Sequence, residues 1–423
     1  MDYTFGKRVT ITSAGGVHTG VIMPNSNSTT VFLKLDSGYT IGIARKTIKA
    51  SKSHPQKIQP KKMNRPLKPV NGLQTVLIIN TGGTIASKVD YTTGGVIPQV
   101  SAEELAELYP ELRSIANIKT LTVGNILSEN MTPADYTVIA EAVKKNYNKV
   151  QGIIITHGTD TLHYTSAALS FMLESLPIPV ILVGSQRSSD RGSTDAFMNL
   201  ICALEFINKT YFKGVAVCMH ESINDDFCVI LPATKVRKMH TSRRDAFQPI
   251  NAKPIAKINY LTRTVTMVQK VNPGVGKPVF RVRMDPKVAI LRVYPGITPM
   301  AIKAFSRFKG VIVEGTGLGN LPILEKNKAN LAAFKSLSKK GIFLIVTSQT
   351  IYGRVNLNVY ANGRIQQEMG MIDAGDMTTE TAFVKLSWLL GNFKKAEVKD
   401  LFQKNLRGEL SERSLPDEFL PQF

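Results

Sequence analysis

Two short stretches bring hydroxyls, glycines and an acid together: Thr81-Gly82-Gly83-Thr84 and Thr156-His157-Gly158-Thr159-Asp160-Thr161. Each follows directly on an apolar run, Val76–Ile79 and Gly152–Ile155. A threonine hydroxyl is a poor nucleophile until a neighbour takes its proton. Thr159-Asp160 could supply that neighbour together with a lysine from the run Lys235-Val236-Arg237-Lys238-Met239-His240. A partly desolvated lysine held by Asp160 could accept a proton through a threonine hydroxyl. The same run reads equally well as a solvated or nucleic-acid-facing patch, and spacing alone leaves both open. Gly82 and Gly83 let the chain turn without a Cβ and let a substrate approach the backbone.

The elements that must carry these loops follow from the apolar pattern. Strand-like runs recur at Val76–Ile79, Gly152–Ile155, Val180–Val183, Val215–Met219, Val288–Val293, Val311–Val313 and Ile342–Val346. Helical spacing separates many of them, at Thr165–Leu176 and Ala196–Ile207, and Ser101 with Glu104 opens a capping box for a helix over Ser101–Leu108. Strands that are apolar throughout, alternating with helices, predict parallel sheets covered on both faces. Ligands then bind at the carboxyl ends of the strands. Those ends carry Gly184-Ser185-Gln186-Arg187, Gly315-Thr316-Gly317-Leu318-Gly319-Asn320 and Thr347-Ser348-Gln349. Small residues, hydroxyls and amides suit a small polar ligand. No Walker A loop is present. Gly315–Asn320 imitates part of a dinucleotide fingerprint, but Pro322 follows instead of a helix, so a tight turn is the better reading.

The first 50 residues differ. Short β-rich runs at Arg8–Thr12, His18–Met23, Thr30–Leu35 and Thr40–Ala44 alternate with turn residues at Gly15-Gly16, Pro24–Asn27 and Asp36–Gly38. Residues 51–70 hold four prolines and six Lys or Arg without an acid, the composition of a linker. Tyr260–Gln269 alternates like an exposed hairpin strand, with a turn at Asn272-Pro273-Gly274. The expected organisation is a small β domain (1–50), a basic linker (51–73), a larger α/β domain (74–256), a connector (257–287) and a smaller α/β domain (288–423).

The net charge is +21, and residues 1–70 carry 12 Lys and Arg against Asp2 and Asp36, a local net of +10. Such an excess favours polyanions, or serves solubility alone. The three cysteines, Cys202, Cys218 and Cys228, form no C-x-x-C pair and are read as reduced thiols. A metal set of Cys218, His220, Cys228 and His240 fits no familiar zinc spacing. No apolar run is long enough to span a membrane and the N-terminus lacks a signal-peptide core, so a cytoplasmic protein without membrane contact is expected.

TGGTIAS paired with THGTDT resembles the asparaginase/glutaminase family of amidohydrolases. That resemblance implies Thr84 as nucleophile, with Thr159, Asp160 and Lys238 relaying protons. It matches Tyr91 to the tyrosine of a loop closing over the nucleophile, and Ser128 and Glu129 to the stretch holding the substrate's α-carboxylate and α-amino groups. The family usually has Gln where Glu129 stands, and an acid there should strengthen the hold on the ammonium group. NILSENM, HYTSAALSFMLES, SQRSSDRGS, KVRKMHTSRRDAF and VIVEGTGLG resemble, more narrowly, the D subunits of archaeal glutamyl-tRNA(Gln) amidotransferases. Those subunits also carry a small N-terminal β domain. The narrower resemblance implies a glutaminase that supplies ammonia to an E-type partner subunit, in a heterodimer or a dimer of heterodimers. The partner would use ATP and Mg²⁺ to convert Glu-tRNA(Gln), while this subunit would need no cofactor or metal. A stand-alone L-asparaginase and a catalytically silent tRNA-binding scaffold are the rival readings.

Overall fold

The computed structural model describes residues 3, 6–23, 26–35, 40–54, 70–83, 87–89, 96–98, 111–188, 193–270, 276–416 and 419. Thr84, Tyr91, the Ser101–Leu108 helix, most of the linker, the Asp36–Gly38 turn and the Asn272–Gly274 turn lie outside these residues.

The N-terminal unit is an antiparallel sheet of five strands, in the order Thr40–Ala44, Thr30–Leu35, Gly16–Ile22, Arg8–Ser13, Ile48–Ser53. Arg8–Ser13 alternates strictly, burying Val9, Ile11 and Ser13. A period of two places those residues on one face. Val9 and Ile11 meet Ile22, Val31, Leu33 and Ile43 in a small core of their own.

The larger domain is built on eight strands. Their order is Val265–Met267, Ala256–Asn259, Phe227–Pro232, Gly214–His220, Pro179–Val183, Gly152–Thr156, Thr75–Asn80, Asn117–Thr122. The last five pair in parallel and the other edge pairs antiparallel. The four inner parallel strands are largely apolar because both faces are covered, whereas the edge strand Asn117–Thr122 carries polar residues and buries none of its positions. Leu77, Ile79, Ile153, Ile155, Val180 and Leu182 enter one core, while Val76, Ile78, Ile154, Ile181 and Val183 enter the other. The stretch Tyr260–Gln269 does not run straight. Its chain turns after Ala256–Asn259, where the Asn259 side chain accepts the Thr262 N–H at 2.9 Å, and returns as Val265–Met267 on the sheet edge.

Four parallel strands, Val288–Arg292, Gly310–Gly315, Phe343–Ser348 and Ile372–Asp373, form the second sheet. The helix Lys328–Lys339 covers one face with Ala333, Phe334 and Leu337. The helix Thr379–Asn392 covers the other and packs on Leu162–Met172 of the larger domain, so one core runs through both sheets. Trp388 lies in that seam. Its ring stacks on Phe171 with centroids 5.5 Å apart, and its indole N–H donates to the Arg281 carbonyl at 2.8 Å. Among the described residues no helix is long and apolar enough to cross a membrane.

The C-terminal tail closes over this seam. Lys385 and Glu409 form an ion pair in which both side chains are 0% exposed. The Lys385 ammonium also donates to the carbonyls of Phe402 and Lys404 at 2.7 and 2.6 Å, and Glu409 accepts the N–H groups of Leu406 and Arg407. Removing one member of such a pair leaves the other's charge buried without its counter-ion. Lys385→Met is expected to destabilise the chain by about 3–5 kcal/mol, and Lys385→Met with Glu409→Leu to recover most of that loss. Denaturant unfolding of the two variants beside the parent measures both.

Candidate active site

The parallel strands end in loops that are laced together by backbone contacts. Asn80, the last residue of its strand, accepts the Gly82 N–H at 3.0 Å and the Thr156 hydroxyl at 3.1 Å through its side-chain oxygen. Thr81 donates both its N–H, at 3.2 Å, and its hydroxyl, at 2.8 Å, to the Thr156 carbonyl. Gly82 and Gly83 have φ of +109° and +84°, conformations that favour glycine. Neighbouring backbone fills the space where their side chains would stand. A Cβ on Gly82 would lie 2.5 Å from the Ile126 nitrogen, and one on Gly83 would fall on the Gly158 backbone. A Cβ on Gly158 would in turn lie 2.8 Å from the Ser128 side chain, and one on Gly184 would lie 2.8 Å from the Thr159 methyl. Four glycines thus let four loops share one small volume. The chain passes from Gly83 directly into Thr84.

Three of the expected site residues meet there. Lys238 ends the short strand Val236–Lys238, held by antiparallel pairing to Phe247–Pro249. Its ammonium donates to the Thr159 hydroxyl oxygen at 2.8 Å and to the Asp160 carboxylate at 2.6 Å. Thr159 is 6% exposed. The lysine side chain is 10% exposed and the aspartate 62%, so the cation comes from inside and its counter-ion faces the solvent. Ser128 is buried beneath this loop. Its hydroxyl accepts the Asp160 N–H at 3.2 Å and its carbonyl accepts the Thr161 hydroxyl at 2.6 Å. Glu129 follows it on the exposed side.

The basic run around Lys238 is not a solvated patch. Lys235 is 3% exposed and pairs with Asp376 at 2.5 Å, also donating to the Asn251 carbonyl and the Ser411 hydroxyl. Arg237 pairs with Glu380 at 3.0 Å. Three cations from one run are therefore each matched by a carboxylate of their own, Lys235 and Arg237 on the smaller domain and Lys238 on Asp160 at the solvent side. Lys235 and Arg237 tie this segment to the smaller domain while Lys238 faces the loop of Thr159.

Two histidines lie behind the threonine. His157 is fully buried, and its Nδ1 lies 2.6 Å from the Gly158 carbonyl. A carbonyl only accepts, so Nδ1 carries the proton and Nε2 accepts the Thr165 hydroxyl at 2.8 Å. Burial pushes its pKa down to about 4. Burial, with Arg237 and Lys238 nearby, pushes His163 down to about 3. The cysteines of the weighed metal set sit in the core instead: Cys218 donates to the Asn199 carbonyl and Cys228 to the Asn199 side chain, and His220 bonds Asn199 and Asp225. His240, by contrast, is exposed and accepts the N–H groups of Ser242 and Arg243.

Sequence reasoning missed the carboxylate that organises the Gly184–Arg187 loop. Asp195 is fully buried and accepts the Ser185 hydroxyl at 2.8 Å and the N–H groups of Gln186 and Arg187 at 3.0 and 3.1 Å. It stands next to the helix Ala196–Lys209, where an acid reads from sequence as an ordinary cap.

The two-sheet body, with its polar loops at the parallel strand ends, defines an asparaginase-type amidohydrolase. Known proteins agree. A family model described as Asparaginase, N-terminal matches residues 75–271, and one described as Glutaminase/Asparaginase C-terminal domain matches residues 287–402. The thermostable L-asparaginase of Thermococcus kodakarensis superposes with a TM-score of 0.73 at 35% identity, over 80% of this chain and 99% of that one. The probable cytoplasmic L-asparaginase of Campylobacter jejuni does so with 0.64 at 27% identity, over 78% and 100%. Residues 3–52 match a model described as GatD N-terminal domain. The chain is 43% identical over 404 residues to the D subunit of glutamyl-tRNA(Gln) amidotransferase from Methanococcus maripaludis, covering 93% of this chain and 95% of that protein. It is 41% identical over 409 residues to the same subunit from Archaeoglobus fulgidus, covering 96% and 95%. The chain belongs to the family of glutamyl-tRNA(Gln) amidotransferase D subunits.

Gly83→Ala would force a Cβ onto the backbone of Gly158 at a positive φ. It is expected to cost at least about 2 kcal/mol and to abolish turnover, as thermal unfolding and ammonia release would register. The two histidines bind protons more weakly folded than unfolded. Their contribution is therefore fully present above about pH 6.5 and is lost as pH falls toward 4 and 3. The unfolding midpoint should drop over that range, and His163→Phe, which cannot take up a proton, should flatten the drop.

Proposed function

We propose that this chain hydrolyses the side-chain amide of glutamine through an acyl intermediate on Thr84, and that the ammonia is used by a partner subunit. The observation that carries this is the contact of Lys238 with both Thr159 and Asp160, beside the glycine turn that leads into Thr84. Thr84 attacks once its proton leaves. The Thr159 hydroxyl takes that proton while passing its own to Lys238, which hands one of its ammonium protons to the Asp160 carboxylate. Backbone N–H groups of these loops steady the oxyanion. Ser128 and Glu129 hold the α-carboxylate and α-ammonium of the substrate, and Tyr91 closes over the nucleophile.

The relatives named as D subunits of glutamyl-tRNA(Gln) amidotransferase, together with the N-terminal match, support the assignment of the ammonia. On this reading an E-type partner uses ATP and Mg²⁺ to activate the glutamate on Glu-tRNA(Gln) and then amidates it, all in the cytoplasm. This chain itself uses no cofactor. The solved L-asparaginases stand against 80% of this chain or less, so the N-terminal unit is an addition to the asparaginase body. We assign that addition to the partner or its tRNA.

Ammonia release from glutamine and asparagine, by the chain alone and with the partner, ATP and Glu-tRNA(Gln), tests the proposal. Low release alone that rises with partner and charged tRNA is expected. Brisk asparagine hydrolysis that ignores both additions would mean a free asparaginase. Lys238→Met is expected to lower kcat by at least about 100-fold, the scale of a lost proton relay.

A further inference from the structure

Gln186 lies beside the relay, in one of the strand-end loops whose amides the sequence marked as suited to a small polar ligand, with no particular role assigned. Its main chain is fixed, because its N–H donates to both oxygens of the buried Asp195 carboxylate, at 3.1 and 3.0 Å. Its side-chain oxygen is 3.5 Å from the Thr159 hydroxyl. That is long for a hydrogen bond, yet it is the second polar neighbour of a hydroxyl whose oxygen already accepts from the Lys238 ammonium. While the ammonium donates to Thr159, the Thr159 proton must point elsewhere, and the Gln186 oxygen is the acceptor on that side. The other end of the same amide, Nε2, is buried and has no hydrogen-bond partner among the described residues. A buried amide donor left unmet is rare and needs an explanation. Nε2 shares its carbon with the oxygen that faces Thr159, so the unmet donor and the contact to the relay belong to one rigid carboxamide.

We propose that Gln186 is a positioning residue that couples substrate binding to the direction of the Thr159 hydroxyl. This rests on the relay proposed above. Before substrate binds, the Gln186 oxygen holds the Thr159 proton away from Lys238. A bound amino-acid amide gives Nε2 its missing acceptor and draws the carboxamide aside. The Thr159 hydroxyl then rotates toward Lys238, which hands one ammonium proton to the Asp160 carboxylate, and its oxygen is free to accept the Thr84 proton. One proton moves from Thr84 to Thr159, one from Thr159 to Lys238 and one from Lys238 to Asp160, so the count balances. The device makes the relay idle until a substrate is seated, which limits turnover of poorly fitting amides.

Two substitutions of similar size separate the two ends of the amide. Gln186→Met removes both acceptor and donor, whereas Gln186→Glu keeps an acceptor and loses the donor. Steady-state kinetics with glutamine are measured on the full chain with its partner subunit, with Thr84→Ala alongside and thermal unfolding to show that each variant folds. Gln186→Met is expected to raise KM about five- to tenfold, the scale of one lost hydrogen bond, while kcat does not fall with it. Gln186→Glu is expected to raise KM and also to lower kcat at least about tenfold, because its carboxylate grips the Thr159 proton harder. A fall in kcat at unchanged KM in both variants, which a packing role predicts, overturns the proposal, as does wild-type behaviour in both. If Thr84→Ala keeps its turnover, the relay itself is wrong and the coupling falls with it; if Thr84→Ala is inactive and the split is absent, only the coupling fails.

Discussion

The backbone of Gly83 lies against the backbone of Gly158, and the close approach of their two loops depends on that contact. No side chain fits between them, as the position of a Cβ on Gly83 shows. Two parallel strands that are hydrogen-bonded along their length, Val76 opposite Gly152 through Asn80 opposite Thr156, deliver these glycines at the same height. The sheet supplies the register and the glycines remove the only atoms that would keep the loops apart. Thr159, three residues past the strand end, is then one short loop away from the turn into Thr84.

Charge is placed with the same economy of space. A lysine brought to a threonine from the interior has to be matched by a carboxylate, and Asp160 does this from the solvent side. The neighbouring cations of the same run are matched by carboxylates of the smaller domain, Asp376 and Glu380. The strand that presents Lys238 is therefore fixed at both of its ends and on both sides of the domain seam. Ser411, from the tail, closes the Lys235 node, so the last part of the chain reaches the segment that carries the relay lysine.

What could be read from sequence divides along this line. Thr159, Asp160 and the lysine run were legible because a strand end forces adjacent residues into one place, and because glycine pairs mark positions where backbone must approach backbone. The strictly apolar strands foretold a sheet covered on both faces for an equally local reason. Which lysine of the run would meet Asp160 was not fixed by spacing, since three cations compete and only the distant carboxylates sort them. Asp195, and the contact of Gln186 within a loop that the sequence did mark, were illegible for a related reason. Their meaning lies in contacts to Thr159 and to a loop folded back on itself, and a lone Asp before a helix looks like a cap. The turn within Tyr260–Gln269 was hidden by an alternating pattern that the Asn259 side chain interrupts.

Covalent acylation of Thr84, assisted by Thr159, Asp160 and Lys238, is the step on which the proposed chemistry stands or falls. Mass spectrometry of the intact chain after reaction with a diazoketone analogue of glutamine, followed by peptide mapping, detects that step at the residue itself. A single adduct is expected on the peptide that holds Thr84, lost in Thr84→Ala and strongly slowed in Lys238→Met. An adduct on any other residue, or full turnover with no residue labelled, would contradict it.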